Sequence, residues 1–254
     1  MAITIKSERE IELMAEAGKI LERVHNELEK ALHPGMSTKD IDTLGEKIIR
    51  SYGCIPSFLN YNGYPASICV SVNQEVVHGI PDKHRIIQEG DIVSLDAGVI
   101  YKGYHSDAAR THAVGEVSEE AKKLIQVTKE CFFEGIKYAK AGNHLFDISG
   151  AIGRYAEERG YGVVRDLCGH GIGTALHEAP EIPNYEVGRK GVKLRPGMTL
   201  AIEPMINIGT YEVDWLDDDW TVVTRDGSLS AHYENTILIT EGEPRILSLT
   251  CDNE

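Results

Sequence analysis

The segments GDIVSLD, residues 90–96, and GMTLAIE, residues 197–203, follow one pattern. Each opens with a glycine, continues through an apolar run typical of a buried strand, and ends in a carboxylate six residues after the glycine. The two segments are 107 residues apart. A strand and a carboxylate that recur in this way predict a chain made of two similar halves.

Further residues recur at the same offset. Four residues of the first half match four of the second: Gly35, Asp40, Ile41 and Gly53 lie opposite Gly142, Asp147, Ile148 and Gly160. Because no linker-like stretch separates the halves, we expect a single domain over residues 1–254, with halves at about 5–115 and 116–250.

Helix signals support the same division. Ser7 with Glu10 has the spacing of a capping box, and Ser37 opens a second amphipathic pattern. In the second half a helix is expected from Ser118 to near Gly142, followed by a shorter one that starts around Leu145. Each half should therefore contain two helices followed by strands, which is an α+β arrangement.

Composition and charge exclude several classes of protein. The chain has 254 residues, of which 42% are hydrophobic and 26% charged, as in ordinary globular proteins. A formal net charge of -14 disfavours direct binding to nucleic acid or an anionic membrane. The amino terminus lacks the apolar segment of a signal peptide, and no apolar run approaches the ~20 residues of a spanning helix, so we expect a cytoplasmic protein.

The cysteines are expected to be reduced thiols. They number five, an odd count, and none forms a Cys-x-x-Cys pair. These residues are Cys54, Cys69, Cys131, Cys168 and Cys251.

Four acidic residues and one histidine are candidates for chemistry. Asp96 and Asp107 flank a predicted hairpin turn at Lys102-Gly103, which would bring their carboxylates together. The other candidates lie in or beside strand-like or glycine-rich segments: His170 in CGHGIG, Glu203 after TLAI, and Glu234 before TILIT. A carboxylate beside an apolar strand is costly to bury unless it is paired or bound to a metal.

The charges of these five residues point to two metal ions. Four carboxylates carry four negative charges, which two divalent cations balance, while the ligating histidine is neutral. Oxygen-rich ligation with one imidazole favours Mn(II), Fe(II) or Co(II). Two such ions can activate a shared water and polarise a carbonyl, which predicts hydrolysis.

Two further histidines lie in loops marked by glycine or proline. His78 in VVHGIP and His177 in ALHEAP are predicted to donate hydrogen bonds to a scissile amide or to the developing oxyanion. The remaining seven histidines are interpreted as surface or core residues, namely His25, His33, His84, His105, His112, His144 and His232.

The motifs SLDAG, HSDAARTH, CGHGIG, AIEPM and YENTILIT, in this order, closely resemble those of the type I methionine aminopeptidases of bacteria. The similarity runs from about residue 5 to residue 250. It implies the pita-bread fold, in which two pseudo-symmetric halves surround a curved antiparallel sheet. The implied reaction removes the amino-terminal methionine when the second residue is small.

The resemblance also implies roles for individual residues. Asp96, Asp107 and Glu234 would bind one ion, Asp107 and Glu234 would bridge to the second, and His170 and Glu203 would complete it. Glu203 would also move a proton from the attacking water, while His78 and His177 would contact the amide nitrogen and the carbonyl of the substrate. The metal is left open among Co, Mn, Fe and Zn.

Residues matching the family's methionine pocket form a second group. They are Tyr61, Tyr64, Cys69 and Trp220, and an apolar slot with polarisable edges suits a thioether. Leu176 replaces a residue that is often aromatic in relatives. Asn73 and Ser230 match a monovalent-cation site of some relatives. The acidic run EVDWLDDD at 212–219 is expected to be a solvated loop at the pocket rim.

Partners and rival functions follow from the same resemblance. The expected substrates are the amino termini of nascent polypeptides, the ribosome is a second candidate partner, and a monomer is expected. An Xaa-Pro peptidase of the same fold is the enzymatic alternative, although such relatives generally carry an extra amino-terminal domain. A pita-bread binding module without catalysis is the alternative from another class.

Overall fold

The structure is a computed structural model that describes residues 2–249. Cys251 therefore lies outside the described residues. The four helices that the described residues form are α1 Glu8–Ala31, α2 Thr38–Ser51, α3 Glu119–Ile136 and α4 Leu145–Glu157, with one 3-10 turn at Tyr61–Gly63.

The strands of the first half are β1 Ile55–Pro56, β2 Ile68–Val72, β3 Glu75–Val77, β4 Ile92–Tyr101 and β5 Tyr104–Ala113. Those that follow α4 are β6 Gly162–Val163, β7 Gly169–Gly171, β8 Glu178–Ile182, β9 Thr199–Ile202, β10 Met205–Asn207, β11 Val213–Trp215, β12 Val222–Thr224, β13 Ser230–His232, β14 Glu234–Leu238 and β15 Arg245–Ile246.

The predicted helix starts are confirmed. Ser7 accepts a hydrogen bond from the backbone of Glu10, whose carboxylate accepts one from the Ser7 backbone, so the capping box is present. Ser37 and Ser118 likewise cap α2 and α3. The prediction that α3 continues to near Gly142 is wrong, because after Ile136 the chain tightens into turns of i to i+3 hydrogen bonds.

The main sheet is antiparallel and joins the two halves at its centre. Its strand order is β1-β4-β5-β14-β9-β7-β8, with β2 also paired to β4 and β15 to β14. The first half contributes β2-β4-β5 and the second contributes β7-β9-β14, so that β5 and β14 meet in the middle. Outward from the centre, the pairing runs β5-β4-β2 in the first half and β14-β9-β7 in the second, so the two halves of the sheet are related by symmetry.

Local details recur between the halves as well. An isolated bridge joins Ser37 to Ile86 in the first half, and another joins His144 to Lys193 in the second. Gly90 and Gly197, which open the two repeated segments, have φ angles of 92° and 85°. This left-handed conformation favours glycine, so the repeated glycine has a backbone cause.

The helices cover one face of the sheet and leave the other for polar residues. Val93 and Leu95 of β4 belong to the core that includes Leu21 and Val24 of α1. Because successive side chains of a strand point to opposite faces, Asp96 projects away from this core. A second core joins α3 and α4 to β9 and β14. The packing of both halves thus directs their charged strand residues to the face opposite the helices.

The acidic segment at 212–219 differs from the solvated loop expected from its charge. Residues Val213–Trp215 form β11, which pairs with β12 as a hairpin. Arg225 forms ion pairs with Glu212 at 2.8 Å and with Asp214 at 3.0 Å. Asp218 accepts hydrogen bonds from the backbone of Trp220 and Thr221 and so closes the turn. Residues 214–219 are exposed, as expected, but the expectation of a loop is wrong for Val213–Trp215, which form a strand.

Two other expectations concern thiols and membranes. Cys54, Cys69, Cys131 and Cys168 are free cysteines, as predicted. Burial raises the pKa of the Cys131 thiol to about 12 and that of Cys168 to about 11, so these thiols stay protonated near neutrality. Among residues 2–249, no helix combines the length and the apolar character needed to cross a membrane.

Candidate active site

The sheet brings the five candidate ligand residues to one place. The β4-β5 hairpin, with its turn at Lys102 and Gly103, pairs Gly98 with Asp107 and Asp96 with Ala109. Glu234 pairs with Ala109 across the centre of the sheet. His170 of β7 lies opposite Ala201 of β9, two residues before Glu203. All five side chains line one cavity.

The imidazole of His170 is oriented toward the carboxylates. Its Nδ1 lies 2.9 Å from the carbonyl oxygen of Gly171, to which it can donate. Its Nε2 lies 3.6 Å from Oε1 of Glu203 and 3.9 Å from Oδ2 of Asp107. With the proton on Nδ1, the lone pair of Nε2 faces the carboxylates, as a metal ligand requires.

Burial disfavours the charged forms of these groups. It raises the pKa of Asp96 to about 7, with a smaller increase from the charge of Glu203, and raises that of Glu203 to about 8. The pKa values of Asp107 and Glu234 are also raised, first by burial and then by the neighbouring carboxylates. Burial lowers the pKa of His170 to about 3. The site thus combines repelling carboxylates with a neutral imidazole.

The donor set fits a divalent metal ion. Ligand atoms of Asp107, His170 and Glu234 all lie within 4.8 Å of one another. Among the described residues, Oδ1 of Asp96 and Oε1 of Glu234 are buried without a hydrogen-bond partner. Buried carboxylate oxygens left in this way are compensated by a cation, and oxygens with one imidazole suit a divalent ion of borderline hardness.

The other predicted site residues line the same cavity: Tyr61, Tyr64, Cys69, His78, His177 and Trp220. Every predicted catalytic, substrate-binding and divalent-metal residue therefore lies on this cavity, whereas Asn73 and Ser230 do not line it. Phe58 and Asn62 line it too and were not predicted. They lie in or next to the turn around Tyr61, where the sequence has no periodic signal.

One end of the cavity is apolar. The rings of Tyr64 and Trp220 meet edge to face, with centroids 5.1 Å apart. The hydroxyl of Tyr64 donates to the carbonyl of Gly79 at 2.9 Å, which leaves the face of the ring for contacts. Cys69 and Leu176 are buried beside them. This end can hold the apolar side chain of a ligand residue while the backbone groups of that residue reach the carboxylates.

His78 and His177 lie between the apolar end and the carboxylates. Burial lowers the pKa of His78 to about 4 and also lowers that of His177, so both rings are neutral near pH 7. The Tyr61 hydroxyl lies 2.8 Å from Nδ1 of His177. When this hydroxyl donates, the ring proton of His177 is on Nε2. His78 has a φ of 60°, an uncommon conformation that is a feature of functional sites.

His232 is buried, which agrees with its interpretation as a surface or core residue, but its position beside the site was not predicted. Its side chain is 2% exposed, and its Nε2 lies 3.6 Å from Oε2 of Glu203. Burial lowers its pKa to about 4. No local pattern marks this residue, although its position two residues before Glu234 on the same segment is a signal that could have directed attention to it.

Asn73 and Ser230 lie together at the edge of the sheet. The backbone N–H of Ser230 donates to the carbonyl of Asn73 at 2.9 Å. The side-chain oxygen of Asn73 accepts from the N–H of Ile92 at 3.0 Å, and its amide donates to Asp91 at 2.8 Å. The side chain of Asn73 therefore already has partners for both polar atoms.

Comparison with protein families places this site in context. The family model described as metallopeptidase family M24 matches residues 12–241. The chain belongs to metallopeptidase family M24. It is 58% identical over 247 residues to a methionine aminopeptidase of Clostridium acetobutylicum, covering 97% of this chain and 99% of that protein. The pita-bread fold expected from the sequence is confirmed by the solved structures of M24 proteins below.

Two solved structures are similar to this chain to different degrees. A methionine aminopeptidase of Thermotoga maritima matches with a TM-score of 0.96 and 47% identity, and the match covers 98% of this chain and 100% of that chain. An Xaa-Pro dipeptidase of Bacillus anthracis matches with a TM-score of 0.78 and 27% identity, and 63% of that chain is covered. Both share the fold, and the similarity of this M24 chain to the first is much the greater.

Proposed function

We propose that this M24 peptidase removes the amino-terminal methionine from polypeptides whose second residue is small. The observation that carries the proposal is that one cavity is lined by a cluster of carboxylates, by an apolar slot and by two neutral histidines. The slot lined by Tyr64, Cys69 and Trp220 suits the thioether of methionine, because sulfur packs favourably against aromatic rings.

The metal-binding residues are proposed as Asp96, Asp107, His170, Glu203 and Glu234. They would hold two divalent ions, with Co, Mn, Fe and Zn as the candidates. The chemistry that such ions supply is Lewis-acid activation of water and of the substrate carbonyl. A monovalent cation near Asn73 and Ser230 is a further proposal, in which backbone oxygens would serve because the Asn73 side chain already has partners.

The protein groups orient the substrate and move the protons. Glu203, whose pKa is raised by burial, accepts a proton from the attacking water and delivers it to the departing amine. His177, with Tyr61 on its Nδ1, directs its Nε2–H toward the substrate carbonyl. His78 contacts the amide nitrogen. The apolar slot holds the methionine side chain away from water, and this binding fixes the position of the scissile bond relative to the catalytic residues.

The wider setting is also proposed. The substrates are nascent polypeptide amino termini, and the protein acts as a cytoplasmic monomer. Docking on the ribosome would have to use basic ribosomal proteins, because a net charge of -14 repels RNA. The resemblance to Xaa-Pro peptidases supplies the competing substrate class for the test below.

Metal-loaded protein is expected to release methionine from Met-Ala-Ser and to leave an Xaa-Pro peptide intact. The release is measured by separation of free methionine, with each candidate metal tested singly and with a chelator as the control. Cleavage of the Xaa-Pro peptide alone would show that the specificity is wrong. Cleavage of neither peptide with any of these metals would favour a binding module.

His78→Ala is expected to lower kcat about tenfold, because a hydrogen bond made in the transition state contributes about 1.5 kcal/mol. His78 is not among the proposed ligands, so metal stoichiometry measured by atomic absorption should stay unchanged. His33→Ala, at an exposed position in the loop after α1, is the matched control and should keep the wild-type rate. An unchanged kcat in the His78 variant would remove His78 from the mechanism.

A further inference from the structure

His232 is a buried polar residue to which the proposed mechanism gives no role. Its side chain is 2% exposed, and among residues 2–249 neither of its ring nitrogens has a hydrogen-bond partner. A buried imidazole normally has a partner for at least one nitrogen, since leaving polar atoms unsatisfied disfavours folding. A ring without such a partner, beside a catalytic carboxylate, calls for a functional explanation.

The backbone of His232 is held in place independently of its ring. Its N–H donates to Oγ1 of Thr111 at 2.9 Å, and the same hydroxyl donates to the carbonyl of His232. The pairing of β13 with β10 sets Met205 opposite His232, and Met205 follows Glu203 by two residues. Because neighbouring Ala231 packs into the helix-side core, the ring of His232 projects to the site.

The ring lies beside one oxygen of Glu203, and His170 lies beside the other. Nε2 of His232 is 3.6 Å from Oε2, while Nε2 of His170 is 3.6 Å from Oε1. The two rings differ, because Nδ1 of His170 is engaged by Gly171 and its Nε2 therefore presents a lone pair. His232 has no such engagement of Nδ1 within the described residues, so its proton is free to reside on Nε2.

We propose that His232 is a positioning residue, a role that rests on the proposed function, and that its Nε2–H donates to Oε2 of Glu203. This hydrogen bond fixes the rotation of the carboxylate, so that Oε1 faces the lone pair of His170 and the metal site. The separation of 3.6 Å exceeds that of a formed hydrogen bond. Hydrogen bonds of catalytic groups are often longer outside the substrate complex and shorten within it.

A metal ligand role is the competing explanation for His232. Among residues 2–249, the carboxylate with an oxygen within 4.0 Å of a ring nitrogen of His232 is that of Glu203, whereas His170 lies within 4.0 Å of both Glu203 and Asp107. The two histidines approach different oxygens of that carboxylate, Oε2 for His232 and Oε1 for His170. The geometry therefore favours a donor to Glu203 over a direct ligand.

The test compares His232→Leu with His232→Gln. Leucine fills the volume without a donor, while glutamine keeps an N–H donor of similar reach. We expect His232→Leu to lower kcat for Met-Ala-Ser at least about tenfold, with KM changed less than about threefold, as for loss of a residue that orients a ligand. His232→Gln should restore kcat to within about threefold of wild type.

Metal titration by calorimetry gives the readout that does not depend on activity. With Mn(II) or Co(II) added to each variant, both substitutions should keep the wild-type number of binding events. Loss of one event in both variants would make His232 a ligand and overturn the proposal. Equal loss of kcat in the leucine and glutamine variants, or full kcat in the leucine variant, would overturn it as well.

Controls separate this proposal from the proposed function. His25→Leu and His25→Gln change another buried histidine, whose Nε2 lies 2.9 Å from the carbonyl of Ala108, and should keep wild-type kcat. If His232→Leu fails to fold, as shown by its circular dichroism, His232→Asn replaces it, because that amide is too short to reach Glu203. Failure of the wild-type protein to release methionine would count against the proposed function. The positioning role would still be supported if the absorption spectrum of bound Co(II) changed in His232→Leu and returned to that of the wild type in His232→Gln.

Discussion

Glu203→Gln is expected to lower kcat for Met-Ala-Ser at least about 100-fold, the lower end of what loss of a general base costs. Glutamine has the shape of glutamate but has no negative charge and cannot take up the proton. In the metal-free protein burial raises the pKa of Glu203 to about 8, so this carboxylate has a higher proton affinity than an exposed glutamate, as a general base requires. Initial rates under saturating metal give the measurement.

The design of this experiment must separate proton transfer from metal binding. Glu203 is also a proposed ligand, so metal affinity should weaken, and rates are compared only where added metal no longer raises them. Glu130→Gln makes the same chemical change on α3, where the carboxylate accepts from the hydroxyl of Tyr155 at 2.7 Å, and should leave kcat unchanged. A Glu203→Gln enzyme with nearly wild-type kcat would show that another group moves the proton.

Local sequence signals predicted the two-halved α+β arrangement and singled out the four acidic residues and His170, whereas the pita-bread fold and the methionine pocket were predicted from the family resemblance. The turn at Lys102-Gly103 set the register that places Asp96 and Asp107 on neighbouring strands. The glycine and carboxylate spacing shared by residues 90–96 and 197–203 reflected strands that occupy matching places in the sheet. These features depend on contacts between residues close in the chain or on a repeated pattern, and both can be detected in a single sequence.

The parts that were missed depend on contacts between distant segments. His232 approaches Glu203 only because β13 pairs with β10, a register that no local pattern specifies. The segment at 212–219 was expected to be a loop because its charges repel, yet Arg225 neutralises two of them from the far side of a hairpin. In both cases the deciding partner lies beyond the window that periodicity or charge runs can sample.

The metal-free protein is expected to lose at least about 1 kcal/mol of stability between about pH 7.5 and pH 9. The pKa of Asp96 is raised from 3.8 to about 7, and that of Glu203 from 4.5 to about 8. In this range the folded protein therefore binds more protons than the unfolded chain. Stability from such groups is complete below their unfolded pKa values and is lost as the pH rises through the folded ones.

The pH range is chosen so that the histidines do not contribute. Burial lowers the pKa values of His78 and His232 to about 4 and that of His170 to about 3. A lowered pKa destabilises the folded protein as the pH falls below the unfolded value of 6.5, which is the opposite trend. Above about pH 7.5 these rings are largely neutral in both states, and the carboxylates determine the slope.

A divalent cation should reverse this trend, because it binds the ionised carboxylates and competes with protons for them. Melting temperatures in chelator are expected to fall by roughly 3 °C across the range, while those in saturating Mn(II) stay level or rise. The two curves should diverge as the pH increases. The double variant Asp96→Asn, Glu203→Gln lacks two of the four carboxyl groups whose pKa is raised, so its metal-free curve should be flatter than that of the wild type. A metal-free wild-type curve that is already flat would mean that the carboxylates are ionised without a cation, and the repulsion from which the metal site is argued would then be absent.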